Sequence, residues 1–239
     1  MKKVQLLCAL VCVLTAYSLW SQEAAGGKPG MQSQVADLKK SMAENQAKLK
    51  TYQWTQSTVV SIKGSTKKDE EARCQYGPDG KVVKTPMGTP MAQQEAPKQQ
   101  RGGLRGRIVE KKVDEMKDYV ERLKSLISHY APPDPERIQS ASAGGKADLN
   151  VQGGVATVSI PDYYKTGDKV AIAFDTSTKK LRSYDVNTYL DDPKDIVTLT
   201  NQFSTLPDGT SYLQQTVLDS KEKQIQVTTT NSNYVPLAK

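Results

Sequence analysis

The sequence predicts an α+β fold: a strongly curved antiparallel sheet of about ten strands, an open half-barrel, packed around one long amphipathic helix plus an N-terminal helix. Three observations lead there. From Lys146 to Val235 nearly every segment alternates with the period of a strand and is punctuated by short turns. Val109, Val113, Met116, Val120, Leu123, Ile127 and Tyr130 recur at alternating spacings of four and three, which is the stripe of one long helix. From Thr51 to Lys63 the period is again two. A meander of this many strands must twist, curl or close. Its imperfect alternation favours an open sheet whose concave side the helix fills.

The first residues predict a cleavable leader. Lys2 and Lys3 precede an uncharged, mostly apolar run from Val4 to Ala16; small residues follow at Ser18 and Ser21, and a polar stretch begins at Gln22. This is the pattern of a secretory signal peptide over residues 1–21, cut between 18 and 24. A membrane anchor is the rival reading, but the apolar stretch ends at Trp20, the short edge of what spans a bilayer. Val11 is too bulky for lipoprotein processing at Cys12. Cleavage after Ser21 lowers the formal charge from +7 to +5 by removing Lys2 and Lys3. Residues 22–239 then form one domain of about 215 residues, acting in a periplasm or secreted and soluble after cleavage. Only Cys74 survives cleavage, so no intramolecular disulfide is expected and stability must come from a core. The chain carries no Asn-x-Ser/Thr glycosylation site, which mildly favours a bacterial periplasm.

The elements follow in order. Ser33 can cap a helix to Lys50, with Val35, Leu38, Met42 and Leu49 on one face. Trp54, Thr58, Val60 and Ile62 then face one side of a half-buried strand, with Gln53, Thr55, Ser57 and Ser61 on the other. Gly64 to Asp69 reads as a polar turn. Glu71 to Tyr76 and Lys81 to Thr85 flank the turn Gly77-Pro78-Asp79-Gly80 as a hairpin. Residues 85–106, rich in Pro, Gln and Gly, predict a flexible loop. The long helix follows, about 35 Å in length, and Ala131-Pro132-Pro133 stops it; Pro135 to Ala141 adds a short helix. Strands are then predicted within Val155–Ile160, Val170–Phe174, Leu181–Thr188, Ile196–Phe203, Thr210–Leu218 and Lys223–Thr230.

Most catalytic chemistries lack their residues. His129 is the only histidine, without a Ser or Cys partner, and its place in the last helical turn suits a structural cation. Cys74 sits beside Arg73 on a strand, with no base or resolving thiol, and reads as a half-buried small side chain. Asp191, Asp192 and Asp195 could in principle hold Ca²⁺, but Lys194 opposes a cation and the segment reads as a solvated loop. Zinc spacing and a phosphate-binding loop are lacking, so no cofactor and no enzymatic activity are expected. Arg101, Arg105 and Arg107 form a basic patch. Export removes nucleic acid as its partner and leaves transient contact with an anionic membrane surface, an acidic protein, or plain solvation.

The apolar faces set the functional question. Trp54, Val60 and Ile62, the helix residues Met116, Val120, Leu123 and Ile127, and the strand residues Val170, Ile172 and Phe174 close into a plain core or line an apolar cleft. The leader, the helix running into Leu49-Lys50-Thr51-Tyr52-Gln53-Trp54, the hairpin Tyr76-Gly77-Pro78-Asp79-Gly80-Lys81 and the long C-terminal meander together resemble the periplasmic lipoprotein-sorting (LolA/LolB-like) half-barrel family. That resemblance implies an open cup of antiparallel strands, lidded by helices, that carries acyl chains or other amphiphiles on its apolar concave face. The expected function is a non-enzymatic extracytoplasmic carrier or chaperone for a lipid-like amphiphile or lipoprotein. The alternative is a structural or protein-interaction module of the cell envelope with a filled core.

Overall fold

Ten strands pair antiparallel in one sheet whose spatial order is β3-β2-β1-β10-β9-β8-β7-β6-β5-β4 in the computed structural model, which describes residues 44–88 and 104–237. The strands are β1 (Tyr52–Ile62), β2 (Ser65–Tyr76), β3 (Val82–Met87), β4 (Asp148–Gln152), β5 (Val155–Pro161), β6 (Lys169–Asp175), β7 (Leu181–Tyr189), β8 (Ile196–Thr205), β9 (Ser211–Ser220) and β10 (Ile225–Pro236). Helix α1 is described over residues 44–49; α2 spans Leu104–Ser128 and α3 spans Pro135–Ala143. The α+β class holds: one open antiparallel sheet with few helices. The expected leader at residues 1–21 and most of the N-terminal helix lie outside the described residues.

The topology explains the long helix. Strand β1 pairs with β10, so the first hairpin joins the end of the meander and leaves β3 and β4 at opposite edges. The chain between them must cross the sheet. Nine strand spacings of about 4.8 Å make a flat width of about 43 Å. The 25 residues of α2 reach about 37 Å, most of that distance. Its contacts move accordingly: Tyr119 bonds Ser220 at the end of β9, whereas Tyr130 bonds Thr188 of β7 and Asp168 just before β6.

Three sequence expectations shift. The polar turn at Gly64 to Asp69 is strand: β2 starts at Ser65, and the turn shrinks to Lys63 and Gly64, both at positive φ. Lys67, Asp69, Glu71 and Arg73 are exposed along β2, so this strand lacks the apolar alternation that would have marked it. The bounds expected for a loop at 85–106 are overrun at both ends, because β3 runs through Met87 and α2 begins at Leu104; residues 89–103 lie outside the described residues. The helix stripe also rotates. Val113 is 47% exposed, while Tyr119 and Leu126, outside the expected stripe, are buried. A spacing of alternating four and three has period 3.5, and a helix of 3.6 drifts about 20° per heptad against it. Over three heptads the true buried face moves off Val113 and onto Tyr119 and Leu126.

Candidate functional site

The inner face of the sheet is laid out in cross-strand rows. One row is aliphatic across seven strands: Val60, Val227, Leu218, Leu199, Val186, Val170 and Ile160 stand opposite one another in sequence. The next row is polar over its first four strands, Thr58, Thr229, Thr216 and Asn201, before Tyr184 and Ile172. Beyond it Gln56 faces Asn231, and past these lies an aromatic group. Trp54 stacks on Tyr234 with centroids 5.5 Å apart and leans on Tyr76 at 5.4 Å, while Tyr212 meets Tyr234 at 4.5 Å. Strand alternation puts every second residue on this face, so each row follows from register alone.

Helix α2 covers the aliphatic part. Tyr119, Leu123, Leu126, Ile127 and Tyr130 form one buried cluster with Ile160, Val170, Val186, Val197, Leu199, Leu218 and Ile225. The residues expected to line a cleft divide among three places. Leu123, Ile127 and Val170 belong to this cluster; Ile62, Met116, Val120 and Ile172 are half-buried against it. Trp54, Val60 and Phe174 are buried outside it.

The polar row and the Gln56–Asn231 pair beyond it are held by side-chain hydrogen bonds, to one another and to backbone carbonyls. The Trp54 Nε1–H donates to Asn231 Oδ1 at 3.1 Å, and Gln56 Nε2 donates to the same oxygen at 2.9 Å. Asn231 Nδ2 donates to the Leu213 carbonyl at 2.8 Å. Lys84 Nζ donates to Gln56 Oε1 at 2.5 Å. Thr216 Oγ1 donates to Asn201 Oδ1 at 2.8 Å, and Asn201 Nδ2 to the Tyr184 carbonyl at 3.1 Å. Among the described residues no buried side-chain nitrogen or oxygen is without a hydrogen-bond partner. A satisfied network of this kind fixes side-chain positions, because breaking one bond strands a buried group.

Two tyrosine hydroxyls pin α2 to the opposite end of the sheet. Tyr119 Oη donates to Asp195 Oδ1 at 2.8 Å and lies 2.5 Å from Ser220 Oγ. Tyr130 Oη donates to Asp168 Oδ2 at 2.5 Å and lies 2.8 Å from Thr188 Oγ1. Asp168 also accepts the backbone N–H groups of Tyr163, Tyr164 and Lys165 at 2.6, 3.0 and 2.9 Å. The acidic segment expected to be solvated is therefore partly buried: Asp195 is inside, and burial raises its carboxyl above the ordinary range. Its neighbour Glu222 is lowered, first by the hydrogen bond from Lys223. Among the described residues no group of His, Cys, Asp and Glu is placed to hold a metal ion. His129 stacks on Tyr164 at 4.0 Å, with Nε2 3.1 Å from the phenol oxygen. Cys74 is buried opposite Trp54.

The phenols predict an alkaline limit. Burial pushes Tyr119 and Tyr130 well above their ordinary value of 10.0, and the hydrogen bonds to Asp195 and Asp168 push the same way. Tyr234 is also raised by burial. Their neutral-state contribution is complete below the unfolded value and is lost as pH climbs past it, because only the unfolded chain releases the protons. Stability should fall above about pH 10 by up to about 1.4 kcal/mol per pH unit for each phenol. Urea denaturation at about pH 8 and about pH 11 measures this. Tyr119→Phe should shallow the decline, and a flat profile would contradict the burial of these hydroxyls.

The fold and this face define an α+β protein built on one open antiparallel sheet with a helix laid across its inner side. No protein-family model and no curated protein matches the chain. A crystal structure of a DUF1329 family protein from Desulfovibrio piger ATCC 29098 is similar to it with a TM-score of 0.37 and 11% sequence identity, over 86% of this chain and 92% of that one. A likeness at this level carries no inference about activity.

Sequence reasoning missed the Thr–Asn row, Tyr119, Leu126 and Asp168. The tyrosines offered the one usable signal, since eight of them fall from Tyr119 to Tyr234 inclusive, and a buried phenol needs a hydrogen-bond partner.

Proposed function

We propose that the protein is a non-enzymatic extracytoplasmic carrier or chaperone that binds a lipid-like amphiphile or lipoprotein on the inner face of a strongly curved, LolA/LolB-like half-barrel. One observation carries this reading: the inner face changes along the strands from the aliphatic row of Val60 to Ile160, through the Thr–Asn row, to the amides and rings around Trp54. An amphiphile has the same gradient, so its chain and its polar end each find matching chemistry. Helix α2 is the lid in this scheme. A sixteen-carbon chain gains about 12 kcal/mol on full burial at about 0.8 kcal/mol per CH₂. Leu123, Leu126 and Ile127 together contribute about 5–9 kcal/mol by the same kind of burial. The acyl chain's burial exceeds that of these three side chains by about 3–7 kcal/mol, a surplus that offsets release of the rest of the helix. The patch of Arg101, Arg105 and Arg107 would bring the carrier to an anionic membrane surface; Arg101 lies outside the described residues, and Arg105 and Arg107 fall in the first turn of α2.

Trp54 is the reporter, since Trp20 is the only other tryptophan and falls in the expected leader. Titrating a fluorescent fatty acid should give saturable binding, reversed by unlabelled fatty acid, with a change in Trp54 emission. Non-saturable uptake with unchanged Trp54 emission would reject the reading. The second reading, a filled-core structural or interaction module, is favoured by the complete burial of Ile127 and Val170 within one cluster.

A further inference from the structure

The two edges of the sheet are built differently. At one edge β3 carries Lys84 and Pro86 within the strand, the residue types that discourage another strand from pairing. At the other edge β4, Asp148-Leu149-Asn150-Val151-Gln152, is exposed along its whole length. It holds no proline and no lysine, and its one charge is at its first position. Val151 is 60% and Leu149 42% exposed, and Val151 is the most exposed large apolar side chain among the described residues. An edge of this kind is a template for strand addition.

The β4–β5 turn determines what that edge offers. Gly153 and Gly154 both have positive φ, 58° and 78°, which is the two-residue type I′ geometry. Gln152 and Val155 close it as opposite residues, followed by Val151 with Ala156 and Asn150 with Thr157. Hydrogen-bonded and non-hydrogen-bonded pairs alternate from such a turn. The backbone groups of Asp148, Asn150 and Gln152 therefore point to β5, and those of Leu149 and Val151 point outward.

We infer that β4 is the docking edge for a second copy of this chain, paired antiparallel about a two-fold axis at Asn150. In that register Leu149 stands opposite the partner's Val151, and their outward N–H and C=O groups exchange both backbone hydrogen bonds. Asp148 stands opposite the partner's Gln152, so no like charges face each other. The four apolar side chains gather on the inner side, because Leu149 and Val151 sit opposite Val158 and Ala156 of the inner face. A one-residue shift pairs the outward groups with inward ones, and a two-residue shift leaves Leu149 or Val151 unmatched. Only the centred register satisfies both the hydrogen bonds and the apolar pairs. The contact is short, below the roughly 1,200–2,000 Å² of stable interfaces, so the dimer is reversible and depends on concentration.

Sedimentation equilibrium of the full chain from micromolar to millimolar protein should show monomer and dimer in exchange. The double variant Leu149→Lys/Val151→Lys places lysines directly opposite one another and should weaken dimerisation about tenfold or more. Asn150→Cys lies at a non-hydrogen-bonded pair with Cα atoms about 4.5 Å apart. Under mild oxidation it should give a dimer whose cross-linked peptides both derive from position 150, and Asp148→Cys should give far less. Circular dichroism confirms that each variant is folded. A monomer at every concentration, a dimer unaffected by the lysines, or equal cross-linking at 148 and 150 would each overturn the inference.

Discussion

Replacing Asp168 with alanine is expected to lower stability by about 3 kcal/mol or more. This carboxylate collects the N–H groups of Tyr163, Tyr164 and Lys165 and the Tyr130 hydroxyl, and is 2% exposed. Its removal strands the buried Tyr163 N–H and weakens the others, with water admitted only at the half-buried positions. A buried donor without an acceptor costs about 1–3 kcal/mol. The damage spreads, because the same loop carries the Tyr163 hydroxyl that accepts the Asp134 N–H at 2.7 Å, where α3 begins. Asp168→Asn keeps one acceptor oxygen and should lose less. Tyr130→Phe removes only the hydroxyl and should cost about 1–2 kcal/mol. Urea denaturation of the three variants gives the order Ala, then Asn, then Phe. An Asp168→Ala protein as stable as the wild type would mean that this loop does not anchor α2.

Leu123→Ala is expected to cost about 2–5 kcal/mol, and the companion Leu123→Trp distinguishes the two functional readings. Leu123 is 3% exposed in the cluster that joins α2 to the sheet. In a filled core, tryptophan overpacks that position and destabilises by about 1–3 kcal/mol. In a carrier the helix is a removable lid over an aliphatic row. Tryptophan then holds the lid partly open or fills the space an acyl chain would take, so fatty acid binding falls while stability changes little. Thermal denaturation and the fatty acid titration, run on the same samples, read both effects. Unimpaired binding with a strongly destabilised Leu123→Trp would remove this part of α2 from the ligand path and leave the aromatic end around Trp54 as the place to look.

Local pattern carried most of the architecture. The period-two runs from Val155 onward gave six strands, five of them close to their observed limits and the last ending six residues short of Pro236, and the spacing from Val109 to Tyr130 gave α2. Pattern failed where a strand has no apolar alternation: the charged residues of β2 read as a turn because its outer side meets water and only Cys74 on it is buried. It failed again on the helix face, where a period of 3.5 in the sequence and 3.6 in the helix part company over three heptads.

The sequence by itself determined most of the elements, though not β4 or the start of β2, together with their antiparallel class and the apolar residues available to the inner face. These depend on neighbours a few positions away, through strand and helix periodicity. Only the tertiary structure decided that β1 pairs with β10, that Thr58, Thr229, Thr216 and Asn201 form one row, that Asp168 and Asp195 are buried under Tyr130 and Tyr119, and that β4 is left as an open edge. Each of these joins residues far apart in the chain. A cross-strand row is set by register, and register between β1 and β10 is settled by the burial of a whole face, a sum over both strands that no local window of sequence contains.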